Sequence, residues 1–294
     1  AEGYGTPCNN GINSVRSYSD LMDAQALITL LKYESGRPIL LHTRYKTRGS
    51  SNAEDLLRAA HPHTIGGNNL YNGNHLITTN AREAMVHNGT VTFDFSEYGF
   101  DAQTGCDTEY LLQMHSAFGP KRVMETIPAS YSVVTMRAGD DFVTAYRDRF
   151  GRRPLWLGTD REGRHIVMSE DRSIEEIGGN PIREVRPGEL LRIYPNQFES
   201  EQVVEPQTRL CFFEVNYLVK RLSHVWDILR DSGINVARMR YELGLELFKE
   251  HPPLDGVDFV THIPKSPLDA ARAYAEASGV PRKELYYKLT EYDR

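Results

Sequence analysis

Met85-Val-His-Asn-Gly-Thr-Val-Thr-Phe93 places an Asn-Gly pair between two apolar runs. Asn-Gly flanked by hydrophobic residues is the strongest short-range signal of a β-hairpin, so we expect Asn88 and Gly89 to form a tight turn. Such a turn can direct one side-chain amide and one backbone N–H at the same point. Two converging donors stabilise the oxyanion of a tetrahedral intermediate, and the segment therefore indicates acyl-transfer chemistry.

Elements predicted from periodicity extend on both sides of this segment. Upstream, the pattern predicts a helix over 17–31, a short buried strand from Ile39 towards Arg44, and a functional loop region over 46–83 with a short helix at 53–60. Downstream, helices are predicted over 107–118 and 171–177, and strands over 131–136, 142–148, 155–158, 165–169 and 189–194. Short strands separated by turns indicate an antiparallel sheet.

The pattern changes near Pro206. Residues 213–249 are largely helical in character, and an apolar strand over 257–263 is followed by a helix over 267–277 that stops at Gly279. Strand followed by helix is the opening of a parallel α/β unit. We therefore expect a first domain over 1–206 and a second, incomplete α/β domain over 207–294.

Composition argues against several classes of partner. The 294 residues are 40% hydrophobic and 25% charged, with a formal net charge of −6 and no basic block, so no nucleic-acid partner is expected. No membrane-spanning run or signal peptide is recognisable, and we expect a cytoplasmic protein without a membrane partner. Cys8, Cys106 and Cys211 are too scattered for a disulfide framework. No spacing typical of a metal site is present, so neither a metal nor a cofactor is expected.

A series of short motifs resembles the amidophosphoribosyltransferases, glutamine-using enzymes that open purine synthesis. HTRYKTRGSS at 42–51, HNG at 87–89 and DTE at 107–109 are similar to motifs of the family's glutamine domain. Further similar motifs follow in the family's order: 146–155, 169–170, 187–189, 213–214, 237–238 and 263–266. The resemblance implies an α+β fold, an Ntn-hydrolase αββα sandwich of antiparallel sheets. A partial α/β phosphoribosyltransferase-like domain would follow it.

The resemblance also implies which residues would grip glutamine or a related amide. Arg44 would pair with the α-carboxylate in bidentate fashion, and Asp107 would hold the α-ammonium group. Asn88 and Gly89 would form the oxyanion hole. The further residues implied to line the substrate site are Tyr45, Thr47 and His87. Structural alternatives are a surface ion pair for Arg44 and a helix N-cap for Asp107. The same resemblance implies a homo-oligomer.

The nucleophile position departs from the family pattern. The family's nucleophile is a cysteine at the mature amino terminus, whose thiol attacks the amide while its α-amine accepts the proton. Ala1 stands at this position here. Three explanations are open: an engineered replacement, a natural loss of glutaminase activity, or Cys8 as the nucleophile after removal of a propeptide. The turn-like Asn-Asn-Gly that follows Cys8 favours residue 1.

The second departure is the missing diphosphate-binding loop of phosphoribosyltransferases. We therefore expect that this chain does not bind phosphoribosyl pyrophosphate in the family's manner. The chain is then either the front part of a longer protein or a shortened relative that carries out another amide reaction. The first hypothesis is a glutamine amidotransferase or amidase that forms a thioester at residue 1. The alternatives are a stand-alone amide hydrolase or acyltransferase of specialised metabolism, and a catalytically inactive homologue that binds a ligand or regulates a partner.

Overall fold

A computed structural model describes residues 2–8, 11–17, 38–43, 53–72 and 75–287. The chain forms two compact units. The first unit consists of the described residues within Ala1–Arg153, Arg164–Ile166 and Val185–Arg209. The second consists of those within Pro154–Gly163, Val167–Glu184 and Leu210–Arg294.

Strands dominate the first unit, and helices dominate the second. The strands are β1 Glu2–Cys8, β2 Gly11–Ser17, β3 Leu40–Thr43, β4 His63–Ile65, β5 Asn68–Asn72, β6 His75–Ala81, β7 Glu83–Thr90, β8 Ser130–Arg137, β9 Val143–Arg147, β10 Trp156–Thr159, β11 His165–Met168, β12 Asn180–Glu184, β13 Glu189–Ile193 and β14 Phe198–Gln202. The helices are α1 Ala53–Arg58, α2 Asp107–Thr126, α3 Asp171–Glu176, α4 Asp227–Asp231, α5 Val236–Glu250 and α6 Leu268–Ser278. A 3₁₀ turn at Ser96–Tyr98 and a π-helical turn at Glu214–Leu218 complete the described elements.

Two antiparallel sheets form the first unit. One has the strand order β3-β1-β2-β6-β5, and the other has the order β14-β13-β9-β8-β7-β4. Apolar residues of both sheets meet in one buried cluster: Ile12, Leu40, Ala81, Ala84, Val86 and Met136. On its opposite face the six-stranded sheet packs against α2, where Met85 of β7 contacts the helix core around Leu111 and Leu112. This arrangement confirms the predicted α+β class with antiparallel sheets.

The Asn88-Gly89 turn predicted from the sequence is wrong. Both residues lie inside β7, where Asn88 pairs with Ser132 and Gly89 pairs with Tyr131 of β8. The pairing with β8 runs along the whole of β7, and this tertiary context overrides the local turn preference. Gly89 is required by close packing, because a Cβ atom there would collide with the Ser130 carbonyl oxygen.

The prediction of a loop region without long strands over 46–83 is also wrong. Its described part contains β4, β5 and β6, and β6 alone covers His75–Ala81. Thr78 and Asn80 belong to β6, which pairs with β2. The Gly, Asn and His content of this region did not suggest a strand. Of the helix predicted over 17–31, Ser17 is the last residue of β2, and residues 18–31 lie outside the described residues.

The Arg147-Asp148 pair fastens the end of β9. The buried Arg147 guanidinium donates to the carbonyls of Val185 and Gly151, at 2.5 Å and 2.6 Å. The Asp148 carboxylate accepts the backbone N–H of Tyr131 at 2.9 Å. In this motif both charged side chains therefore bond to backbone groups of the fold.

Helices α5 and α6 pack against each other in the second unit. They cross at Gly244, where a Cβ atom would lie 2.7 Å from Ala270 Cα. The buried Arg240 guanidinium caps the π-helical turn by donating to the carbonyls of Val215 and Val219. The predicted stop of α6 at Gly279 is confirmed by its left-handed conformation. The strand predicted over 257–263 is wrong: only Val260 forms a bridge, parallel to Arg282.

Candidate functional site

The end of β7 and the start of α2 meet in the first unit. Asp107 is the first residue of α2, and its Oδ2 accepts the backbone N–H of Val91 at 2.8 Å. Its Oδ1 accepts the N–H of Thr108 at 3.0 Å. The bond to Val91 holds the Asp107 carboxylate close to the end of β7, the strand that carries Asn88 and Gly89.

A hydrogen-bonded turn precedes Asp107. The Glu109 carboxylate accepts the backbone N–H groups of Gln103 and Thr104, at 2.8 Å and 2.9 Å. It also accepts the Thr104 hydroxyl at 2.6 Å. These three bonds tie residues 103 and 104 to the first turn of α2, shortly before Asp107 in sequence.

Buried histidines surround the hydroxyl of Thr108. Thr108 Oγ1 lies 3.0 Å from His61 Nε2 and 3.0 Å from His87 Nδ1. The ring of His42 stacks on that of His61, with centroids 4.1 Å apart, and His63 meets His61 edge-on at 5.2 Å. Among the described residues, no group of three or more His, Cys, Asp or Glu side chains has the arrangement of a metal site.

Burial controls the charge of this region. Desolvation lowers the pKa of His87 to about 4, against the opposing effect of the Asp107 carboxylate. Burial also lowers the pKa of Arg16 on β2 to about 10. Arg16 Nη1 donates to the carbonyl of Arg58 at 3.1 Å. At neutral pH His87 is therefore uncharged, whereas Arg16 keeps its charge.

Several residues of the predicted site lie outside the described residues: Ala1, Arg44, Tyr45 and Thr47. Their neighbours are described. Glu2 at the start of β1 pairs with Thr43 at the end of β3. Cys8 pairs with Gly11 at the opposite end of β1, which a rise of about 3.3 Å per residue places roughly 20 Å from Glu2. Cys8, the alternative nucleophile, thus lies at the end of β1 away from Glu2.

Of the predicted site residues in the described part, Asn88, Gly89 and His87 share β7, and Asp107 lies at the adjoining start of α2. His87 is buried, with 4% of its surface exposed. Sequence reasoning missed Thr108 and His61 as members of this region, and it also missed Arg16. Thr108 follows a predicted site residue directly, which was the available signal. His61 and Arg16 carry no local signal.

No helix within the described part of the chain is long and apolar enough to cross a bilayer.

Comparisons with known proteins agree with this architecture. The family described as a glutamine amidotransferase domain matches residues 72–176. The amidophosphoribosyltransferase of Archaeoglobus fulgidus is 30% identical over 262 residues, 84% of this chain and 52% of that protein. The enzyme of the same name from Methanothermobacter thermautotrophicus is 32% identical over 252 residues, 83% of this chain and 49% of that protein. The chain spans about half the length of these relatives.

Two solved structures share the fold. Glutamine phosphoribosylpyrophosphate amidotransferase from B. subtilis has a TM-score of 0.73 at 23% identity, over 96% of this chain and 59% of that one. A structure described as the allosteric regulatory enzyme of purine biosynthesis has a TM-score of 0.75 at 24% identity, over 98% and 61%. The likeness confirms the predicted Ntn-hydrolase type of α+β fold.

Proposed function

Because the chain belongs to the amidophosphoribosyltransferase family, we propose that its first unit binds glutamine and hydrolyses the side-chain amide when residue 1 carries a thiol. One observation carries this proposal: the hydrogen bond from Val91 N–H to the Asp107 carboxylate, 2.8 Å long. It holds a group suited to an α-ammonium beside a strand end suited to an oxyanion. A linear amino-acid amide needs both of these contacts.

The strand register brings the start of β1 beside the end of β3, where Glu2 pairs with Thr43. In sequence, these two residues directly adjoin positions 1 and 44, to which the proposal assigns the nucleophile and the α-carboxylate contact.

The face of β7 also supports the proposed role of Asn88. Alternation along a strand gives Asn88 the same face as Ala84 and Val86. Those two residues pack with Leu40 of β3 in the layer between the sheets. The side-chain amide of Asn88 is therefore on the face directed at the sheet that contains β1 and β3.

In the proposed reaction a thiol at residue 1 attacks the γ-carbonyl carbon of glutamine, and its α-amine takes the proton. The oxyanion accepts hydrogen bonds from the Asn88 side chain and the Gly89 backbone N–H. Ammonia leaves with that proton, and water hydrolyses the γ-glutamyl thioester to glutamate. Arg44 pairs with the α-carboxylate and Asp107 with the α-ammonium group, with Tyr45 and Thr47 beside them. The relatives' phosphoribosyl transfer is not part of the proposal.

Ala1 favours a second function for the chain as it stands. A methyl group cannot attack an amide, so a chain with Ala1 is expected to bind glutamine without turning it over. A homologue of this kind would act as a ligand-binding or regulatory partner. The two functions share one binding site and differ only in the nucleophile.

Restoring the thiol separates these functions. We expect Ala1→Cys with a free amino terminus to release glutamate from L-glutamine and to be labelled covalently by a glutamine-like electrophile, as read by intact mass. Asp107→Asn in the same background is the matched control, and it should raise KM because the α-ammonium loses a charged partner. A folded Ala1→Cys protein that neither reacts nor is labelled contradicts the amidase. Glutamine binding by that protein would leave the binding function in place.

A further inference from the structure

One row of side chains connects β3 with β7 and α2, the two elements that carry Asn88 and Asp107. We call His42, His61, Thr108 and His87 the histidine–threonine row. His42 of β3 stacks on His61, with ring centroids 4.1 Å apart. The hydroxyl of Thr108, at the start of α2, lies 3.0 Å from a ring nitrogen of His61 and 3.0 Å from one of His87.

Two of the proposed contacts adjoin a member of this row in sequence. His87 directly precedes Asn88, and Thr108 directly follows Asp107. His42 lies in β3, so the row also reaches the five-stranded sheet. We propose that the histidine–threonine row is a set of positioning residues that holds Asn88 and Asp107 in mutual register for glutamine. The inference rests on the proposed function.

The hydroxyl of Thr108 is suited to be the central joint. A threonine hydroxyl can donate to one ring nitrogen while it accepts from another, so it can satisfy both histidines at once. Thr108 is 1% exposed, and His61 and His87 are each 4% exposed. Water cannot readily replace the hydroxyl there, and a buried ring nitrogen that loses its partner carries the full desolvation penalty.

Packing couples the ring of His87 to the proposed oxyanion hole. A Cβ atom on Gly89 would lie 2.6 Å from His87 Nε2, so the ring lies directly over the Gly89 backbone. A neutral ring is needed for one nitrogen to accept a hydrogen bond. The lowered pKa of His87, about 4 through burial, agrees with this. A shift of the ring would thus be transmitted to Gly89.

The test measures binding of L-glutamine to the chain with Ala1 by calorimetry, with Thr108→Val and Thr108→Ser. Thr108→Val keeps the shape and removes the hydroxyl, and we expect affinity to fall about tenfold. Thr108→Ser restores the hydroxyl and should bind within about twofold of the parent. Thr144→Val, the same change on β9 outside the row, is the matched control and should leave affinity unchanged.

Rescue of the affinity by Thr108→Ser is the readout that distinguishes positioning from a merely structural role, and nitrogen NMR of the histidine rings tests the hydrogen bonds themselves. Thr108→Val should shift the ring-nitrogen signals of both His61 and His87, and Thr108→Ser should restore them. If Thr108→Val does not fold, His61→Phe keeps a ring against His42, removes the hydrogen bond and should weaken binding to a similar extent.

Three outcomes are decisive. Parent-like affinity in folded Thr108→Val or His61→Phe overturns the positioning role and leaves the proposed function standing. Unchanged His87 nitrogen signals in Thr108→Val overturn the row itself. A parent chain that binds no glutamine refutes the proposed function and this inference with it.

Discussion

Two histidines, one in each unit, are held in opposite ways. His87 of the first unit has its Nδ1 3.0 Å from the neutral hydroxyl of Thr108. His224 of the second unit has its Nδ1 2.6 Å from the buried carboxylate of Asp171, which also accepts the His224 backbone N–H at 3.1 Å. One ring is joined to its surroundings through uncharged groups, and the other through a charge.

The surroundings extend this contrast. Near His224, the Glu170 carboxylate accepts the Ser223 hydroxyl and the Lys220 N–H, at 2.6 Å and 2.9 Å. Carboxylates thus fasten the chain around 220–224 to the start of α3. The His87 ring itself is bonded to a neutral group, the Thr108 hydroxyl. The hydrogen bond between His87 and Thr108 can hold the ring in place without adding a charge beside the site proposed to bind glutamine, a zwitterion. The bond between His224 and Asp171 instead holds two segments of the second unit together through a charged group.

The largest loss of unfolding free energy should come from removing the Asp171 carboxylate that binds His224. Asp171→Ala leaves His224 and the backbone N–H groups of His224 and Arg172 without their acceptor. We expect the second unit to lose about 3 kcal/mol of unfolding free energy. Both tryptophans, Trp156 and Trp226, belong to this unit, so urea unfolding followed by their fluorescence measures it.

Asp231→Ala is the control for this prediction, because Asp231 is an exposed aspartate of the same unit. It should change the unfolding midpoint little. Equal effects of the two substitutions would mean that the Asp171–His224 pair contributes no more than surface charge, and the contrast between the units would fail.

Lowering the pH should destabilise the first unit, because it protonates His87, which is bonded to Thr108. His87 has a folded pKa of about 4, below an unfolded value of about 6.5, so the unfolded state binds more protons. Its contribution is fully present above pH 6.5 and is lost as pH falls towards 4. Between pH 7 and pH 5 the loss is about 2 kcal/mol. His115, whose pKa burial also lowers to about 4, should lose a similar amount.

The measurement is urea unfolding at the two pH values, followed by circular dichroism of the sheets. His87→Phe keeps a ring and cannot titrate, so its pH-dependent loss should shrink by the share of one histidine. A variant with the full pH dependence of the parent would show that His87 is solvated. The claim that Thr108 holds a buried, uncharged His87 would then be refuted.

The smallest effect should come from removing an exposed ion pair of the same region. Lys220 Nζ lies 2.6 Å from Glu176 Oε2, and both side chains are 48% exposed. Exposed ion pairs contribute below about 1 kcal/mol, and Lys220→Met should cost no more. A loss as large as that of Asp171→Ala would place the energy of this region in the surface pair, and the salt dependence of the midpoint would confirm it.

Local pattern predicted much of the fold. Strands β8, β9, β10, β11 and β13 lie where alternation and turn signals predicted them, and α1, α3 and α6 lie near their predicted bounds. α2 begins at Asp107 as predicted, but it continues past Phe118 through Gly119 and Pro120 to Thr126. Non-helical backbone at Gly119 lets the helix kink there, which residue preferences alone do not reveal.

Non-local pairing accounts for the failures. The Asn88-Gly89 signal is a true local turn preference, but β8 offers β7 a complete partner strand and the extended conformation prevails. The strands at 68–72 and 75–81 are rich in polar residues, and they form because they pair with each other and because β6 also pairs with β2. In the candidate site, motif order led to Asn88 and Asp107, whereas no motif led to His61.

By itself, the sequence determined which segments are apolar on one face, where α2 begins, and which motifs stand in the family's order, because these properties depend only on neighbours within a few residues. Tertiary structure alone decided that Asn88 lies in a strand and that Thr108 meets His87, 21 residues away, and His61, 47 residues away. Such contacts depend on strand register and on the packing of a helix against a sheet. Residues far apart in the chain set both of these together.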